Sequence, residues 1–151
     1  MTSVDDVAAW IGTWRGEGEG SYPTIDPFHY AEELTLTRVP GRPVVAWSSR
    51  ARDAAGQPRH AESGFLRIVD DGVELVLAHN FGTVEVAVGR LGGGHLDLDT
   101  HATARTPSAK VIEQIRRRYT LDGDTLGYEI AMAAVGVPLT HHLRAALTRV
   151  A

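Results

Sequence analysis

A chain of 151 residues with seven histidines, sixteen glycines, three tryptophans and no cysteine suits one domain, residues 1–151, able to bury roughly two-thirds of its unfolded surface. Without cysteine there is no disulfide framework, thiolate-held metal or thiol nucleophile, so any metal would be held by imidazole or oxygen. A net charge of −4 argues against phosphate-driven nucleic-acid binding. The absence of an apolar run approaching ~18 residues, together with an acidic N-terminus where a signal peptide would be basic, predicts a cytoplasmic protein without a membrane segment.

Ser3 to Ile11 read as a short helix: Ser3 and Asp6 have capping-box spacing, Val4, Val7, Trp10 and Ile11 form one stripe, and Gly12 ends it. Gly18 to Pro27 is expected to loop, because Pro23 and Pro27 bracket Thr24-Ile25-Asp26, and at a barrel end such a loop could act as a lid. Strands are predicted over Tyr30–Arg38 and Val44–Arg52, around the Pro40-Gly41 turn, and over Ala61–Val69. Val73–Ala78 and Thr83–Val88 alternate after turn signals, with Val84, Val86 and Val88 on one face. His95–Asp99, Lys110–Tyr119, Leu126–Ala133 and Leu139–Arg149 complete the set. Nine or ten short strands without a helical crossover predict an all-β antiparallel sandwich or barrel, and a closed barrel of this size makes room for a ligand.

Several motifs have ordinary structural readings. In Gly12-x-Trp14-x-Gly16-x-Gly18 the ring of Trp14 plugs one barrel end, while Gly16 and Gly18 remove side chains where another backbone approaches. In Arg116-Arg117-Arg118 the outer two face solvent and Arg117 reads as a barrel-end or partner contact. Glu32 and Glu33 diverge on a strand. His79, His95 and His101 lack the spacing with carboxylates of a zinc site, and no nucleophile elbow, P-loop or dinucleotide fingerprint occurs.

Read together, Gly12 to Ile25, His60-Ala61-Glu62-Ser63-Gly64-Phe65, Val73 to His79 with Gly82 to Val86, and Met132 to Leu143 resemble the nitrobindin family over nearly the whole chain. That resemblance implies a ten-stranded antiparallel barrel of lipocalin or fatty-acid-binding-protein shape holding one haem b near its mouth. It also implies nitric oxide binding and the isomerisation of peroxynitrite to nitrate at a ferric iron. The family's axial histidine falls on His142 of His141-His142-Leu143. Strand alternation alone instead groups His141 with Leu143, Ala145 and Leu147, and His142 with Arg144. By the same resemblance His60 and Met132 line the opposite side of the haem, where His60 would bond an iron-held oxygen or organise water. Thr24 and Lys110, the only lysine, are further candidates for touching the haem, at its propionates. The alternative from another class is a haem-free barrel carrying a small hydrophobic ligand. A barrel has no free sheet edge, so a homodimer would have to use side-chain surfaces.

Overall fold

The computed structural model describes residues 2–151. Among them, ten antiparallel strands close in the order β1-β10-β9-β8-β7-β6-β5-β4-β3-β2, with β1 also pairing β2. The strands are β1 (Gly12–Tyr22), β2 (Ile25–Arg38), β3 (Val44–Arg52), β4 (Pro58–Val69), β5 (Gly72–His79), β6 (Thr83–Gly92), β7 (His95–Arg105), β8 (Ile112–Asp122), β9 (Thr125–Ala134) and β10 (Val137–Arg149). Consecutive strands are neighbours because each hairpin joins them directly, and closure leaves no edge exposed.

The N-terminal segment is a 3-10 helix over Val4–Trp10. The Asp6 carboxylate accepts the Ser3 backbone N–H at 2.7 Å, the half of the capping box that ties the first turn. This helix closes one end of the barrel. Trp14 is fully buried and donates its indole N–H to the Trp10 carbonyl at 2.9 Å, while the Arg149 guanidinium lies 4.2 Å above its ring and binds the Ala9 carbonyl at 2.6 Å. Leu34, Leu75, Leu96, Leu126 and Leu147 fill the interior around it.

The segment Gly18 to Pro27 is a hairpin with a Pro23-Thr24 turn, not a loop. Pro27 is tolerated in β2 because pairing with β3 begins only at Ala31, so residues 25–30 have no ladder on that side to lose. Gly16 meets its prediction: a Cβ there would lie 2.1 Å from the Ala146 carbonyl oxygen of β10. At Gly18 the main obstacle is a side chain, the Tyr30 ring, at 2.3 Å.

On β6 the apolar alternation faces outward. Val84 and Val88 are exposed, whereas Thr83, Glu85 and Ala87 point into the barrel and are buried. Cross-strand pairing joins the outer valines to Val76 and Phe65, forming an apolar strip on the exterior of β4 to β6.

Candidate haem pocket

At the end opposite the helix, where the hairpins β1–β2, β3–β4, β5–β6, β7–β8 and β9–β10 turn, the interior opens into a cavity of about 460 Å³. That is inside the ~300–1,000 Å³ range of cofactor pockets. Phe28, Ile112, Ile115, Ile130, Met132 and Leu143 give it apolar walls, and His60, His79, Phe81 and His142 stand among them.

His142 reaches this cavity through a β-bulge. Along β10, Thr140 pairs with Met132, His141 with Ala131, and Leu143 with Ile130, so His142 is an extra residue opposite no partner. The bulge resets the alternation, leaving His141 exposed and turned out while His142 and Leu143 both line the cavity. The β1–β10 ladder runs no further than Gly20 opposite Leu143, and the ring of His142 takes over beyond it, donating from Nδ1 to the Ser21 carbonyl at 3.1 Å. Burial lowers the pKa of this imidazole, so the neutral ring with its proton on Nδ1 carries a lone pair on Nε2. The rings of Tyr22 and Phe28 fix its plane at centroid distances of 5.3 and 6.3 Å. Tyr22 spans the bulged seam, donating to the Met132 carbonyl at 2.9 Å and accepting the Ala134 N–H at 3.0 Å.

The floor of the cavity is ionic. Arg117, expected at a barrel end or a partner contact, is instead 2% exposed and points inward from β8 between Ile115 and Tyr119, so only Arg116 and Arg118 face out. Its guanidinium donates to Glu85 through Nε at 3.0 Å and Nη2 at 2.7 Å, donates to the Tyr119 hydroxyl at 2.9 Å, and stands 3.1 Å from Glu62 Oε2. That guanidinium holds the Glu85 carboxyl down at about 2 against the desolvation that would raise it. Glu32 also points inward, accepting from Ser49 at 2.6 Å and from Tyr128, and burial raises its pKa. Glu33 diverges outward to Arg15 as predicted.

His60 enters the cavity from β4 on the same face as Glu62. Its Nε2 lies 2.9 Å from His79 Nδ1, and His79 Nε2 lies 3.0 Å from Glu85 Oε1. Desolvation lowers the pKa of His60 to about 4. Met132 lines the cavity as expected. Thr24 and Lys110 are exposed and lie outside the cavity walls, on the β1–β2 and β7–β8 connections at the open end. Glu62 and Glu85 were not proposed as site residues from the sequence, His79 was weighed only against a zinc site, and Arg117 was read only as a barrel-end or partner contact. A faint signal existed in the polar residues of two inward rows, His60-x-Glu62 and Thr83-x-Glu85.

A small closed barrel with one mouth, apolar walls and a single anchored imidazole offering Nε2 defines a cofactor-binding barrel. Residues 3–149 match the family described as "THAP4-like, heme-binding beta-barrel domain", and the chain belongs to that family, the nitrobindins its sequence resembles. It is 44% identical over 152 residues to "Peroxynitrite isomerase 2" of Mycobacterium marinum, covering 97% of this chain and 94% of that one. It is 46% identical over 149 residues to "Peroxynitrite isomerase 1" of Mycolicibacterium paratuberculosis, covering 95% and 92%. The crystal structure of Rv2717c from M. tuberculosis superposes with a TM-score of 0.91 at 39% identity, covering 98% of this chain and 97% of that one. An S-type phycobiliprotein lyase from Guillardia theta, at 10% identity and a TM-score of 0.63, shares the fold alone.

Proposed function

We propose that the chain binds one haem b with His142 as the axial iron ligand, isomerises peroxynitrite to nitrate and binds nitric oxide at the same ferric iron. The observation that carries this reading is the bulge that turns His142 inward, with Nδ1 held by the Ser21 carbonyl and Nε2 left for a metal. The relatives named peroxynitrite isomerase support the reaction, and the family description supports the cofactor.

Bound there, ferric haem supplies the electron-pair acceptor at which the peroxynitrite O–O bond is rearranged. The chain's share is placement and exclusion of water. Tyr22 and Phe28 fix the His142 ring, Met132 and the isoleucines keep the walls dry, and His60 stands in the same cavity as a group able to contact a ligand. At the mouth Arg59, which also lines the cavity, joins Thr24 and Lys110 as the groups suited to the propionates. A haem-free carrier of a hydrophobic ligand is less well supported, because Glu32, Glu62 and Arg117 face that ligand.

Titration of the purified protein with haemin tests the proposal. Wild type and His141→Ala should develop a sharp Soret band and His142→Ala should not. A band kept in His142→Ala but lost in His141→Ala would overturn the ligand assignment, and no band in any form would favour the carrier. For a homodimer, the exterior strip around Phe65, itself 49% exposed, is the surface that would be covered. Phe65→Asp should then sediment as a monomer, and a wild type that is already monomeric removes the dimer.

A further inference from the structure

The chain of hydrogen bonds that ends at His60 has a direction, and its far end sets it. Glu85 is fully buried and receives two bonds from Arg117, so it is a carboxylate that can only accept. The 3.0 Å contact between His79 Nε2 and Glu85 Oε1 therefore places a proton on His79 Nε2. Where the His79 ring carries that single N–H, its Nδ1 is a lone pair, and the 2.9 Å contact makes His60 Nε2 its donor. His60, kept neutral by desolvation, is left with a bare Nδ1. That nitrogen has no hydrogen-bond partner among the described residues, and its nearest carboxylate oxygen, Glu62 Oε1, lies 4.0 Å away.

Two acceptors at that separation repel unless a donor stands between them. A single molecule with two donor protons, such as water, with contacts of about 2.8 Å to each spans the gap. His60, His79 and Glu62 also carry the atom types of a metal site. The rings argue otherwise: their centroids are 5.2 Å apart with planes 26° apart, the arrangement of two imidazoles pointing nitrogen to nitrogen rather than converging on a third point. Arg117 Nη1, 3.1 Å from Glu62 Oε2, further disfavours a second cation.

We infer that His60 Nδ1 and Glu62 Oε1 form a two-acceptor site for a small neutral molecule that carries two donor protons, water or an unsubstituted peroxide or hydroxylamine, with Glu85 and His79 as the positioning residues that fix its polarity. The Glu62 carboxylate repels a bare anion, so the site favours a neutral two-proton donor over an anion that can only accept. As a feature of the distal side the site rests on the haem reading, but the hydrogen bonds that define it do not.

The test uses haem-free protein labelled with ¹⁵N in histidine, so that its failure is separable from failure of the haemin titration. At slightly alkaline pH, proton–nitrogen correlation spectra should give both His60 and His79 a protonated Nε2 and a bare Nδ1. In Glu85→Gln the guanidinium takes the amide oxygen and turns the NH₂ toward His79, so the shifts of the two nitrogens should exchange in both rings. Neutral hydroxylamine should move the His60 Nδ1 resonance, and nitrate, which only accepts, should not. Wild type itself decides the case where Glu85→Gln does not fold. A His60 proton on Nδ1 in wild type, tautomers unmoved in a folded Glu85→Gln, an equal response to nitrate, or loss of the bare His79 Nδ1 signal on stoichiometric Zn²⁺ would each overturn the inference.

Discussion

Replacing Arg117 by methionine keeps the side chain's length and removes its charge from a place where that charge has no substitute. Its side chain is 3% exposed, and those of Glu62 and Glu85 are 7% and 0% exposed, so the contacts at 2.7, 3.0 and 3.1 Å are all lost without water to replace them. Breaking a buried pair by deleting one partner costs about 3–5 kcal/mol, a large part of the ~5–15 kcal/mol that holds a typical domain. Urea denaturation of the haem-free protein should show a loss of that size. Arg15→Met, which breaks an ion pair whose side chains are 62% and 46% exposed, should lose no more than ~1 kcal/mol.

The pH dependence separates charge from packing. In wild type Glu85 is held at about 2, below its ordinary 4.5, so its stabilisation is complete above 4.5 and is lost as pH falls through 4.5 toward 2. His60 lies near 4 in the fold against an ordinary 6.5, so the unfolded chain takes the proton first and stability already declines as pH falls between 6.5 and 4. In Arg117→Met Glu85 loses the cation that holds it down, the desolvation that opposes it then raises its pKa in the fold, and the native state binds a proton that the unfolded state does not. The contribution of Glu85 to the slope therefore reverses, and acidification from neutrality should cost the variant less stability than it costs wild type. A loss below ~1 kcal/mol, or a pH slope identical to wild type, would refute the claim that these charges are mutually held.

Other expectations follow from geometry. Gly16→Ala drives a Cβ to 2.1 Å from the β10 backbone and should cost at least ~1–3 kcal/mol. Gly127→Ala, whose nearest neighbour would lie 3.7 Å away, should be neutral or stabilising by up to ~1 kcal/mol, and equal urea midpoints for the two variants would refute this reading of the glycines. Deleting His141 removes the extra residue, so His142 should pair with Ala131 and face outward. Circular dichroism should stay that of a β-barrel while the haemin Soret band disappears, and a retained band would show that the bulge is not what aims the ring.

The fold was legible because hairpin barrels are written locally. Asp71-Gly72, Gly92-Gly93-Gly94, Asp122-Gly123 and Gly136 sit where the chain reverses, and alternation between them fixes strand after strand. The helix type and the Pro27 strand were not legible, since each depends on what the neighbouring segment leaves unpaired.

The site was legible only through resemblance, and the bulge shows why. Period-two counting runs from Leu147 through Ala145 and Leu143 to His141 and would place His141 in the cavity. One unpaired residue, whose need arises where the β1–β10 ladder stops at Gly20, reverses that assignment without leaving a mark in the hydrophobic pattern.

The ionic floor escaped for the complementary reason. A rule that sends arginine and glutamate outward fails when each is buried with the other, and Arg117 on β8 finds Glu62 on β4 and Glu85 on β6 only across the barrel interior. The exposed valines of β6 are the counterpart of that failure: with Glu85 committed inward, alternation obliges Val84 and Val86 to the outside. An apolar strand face turned to solvent beside a charged residue turned inward is therefore one observation, and on β6 it marks the strand that anchors the polar chain leading to His60.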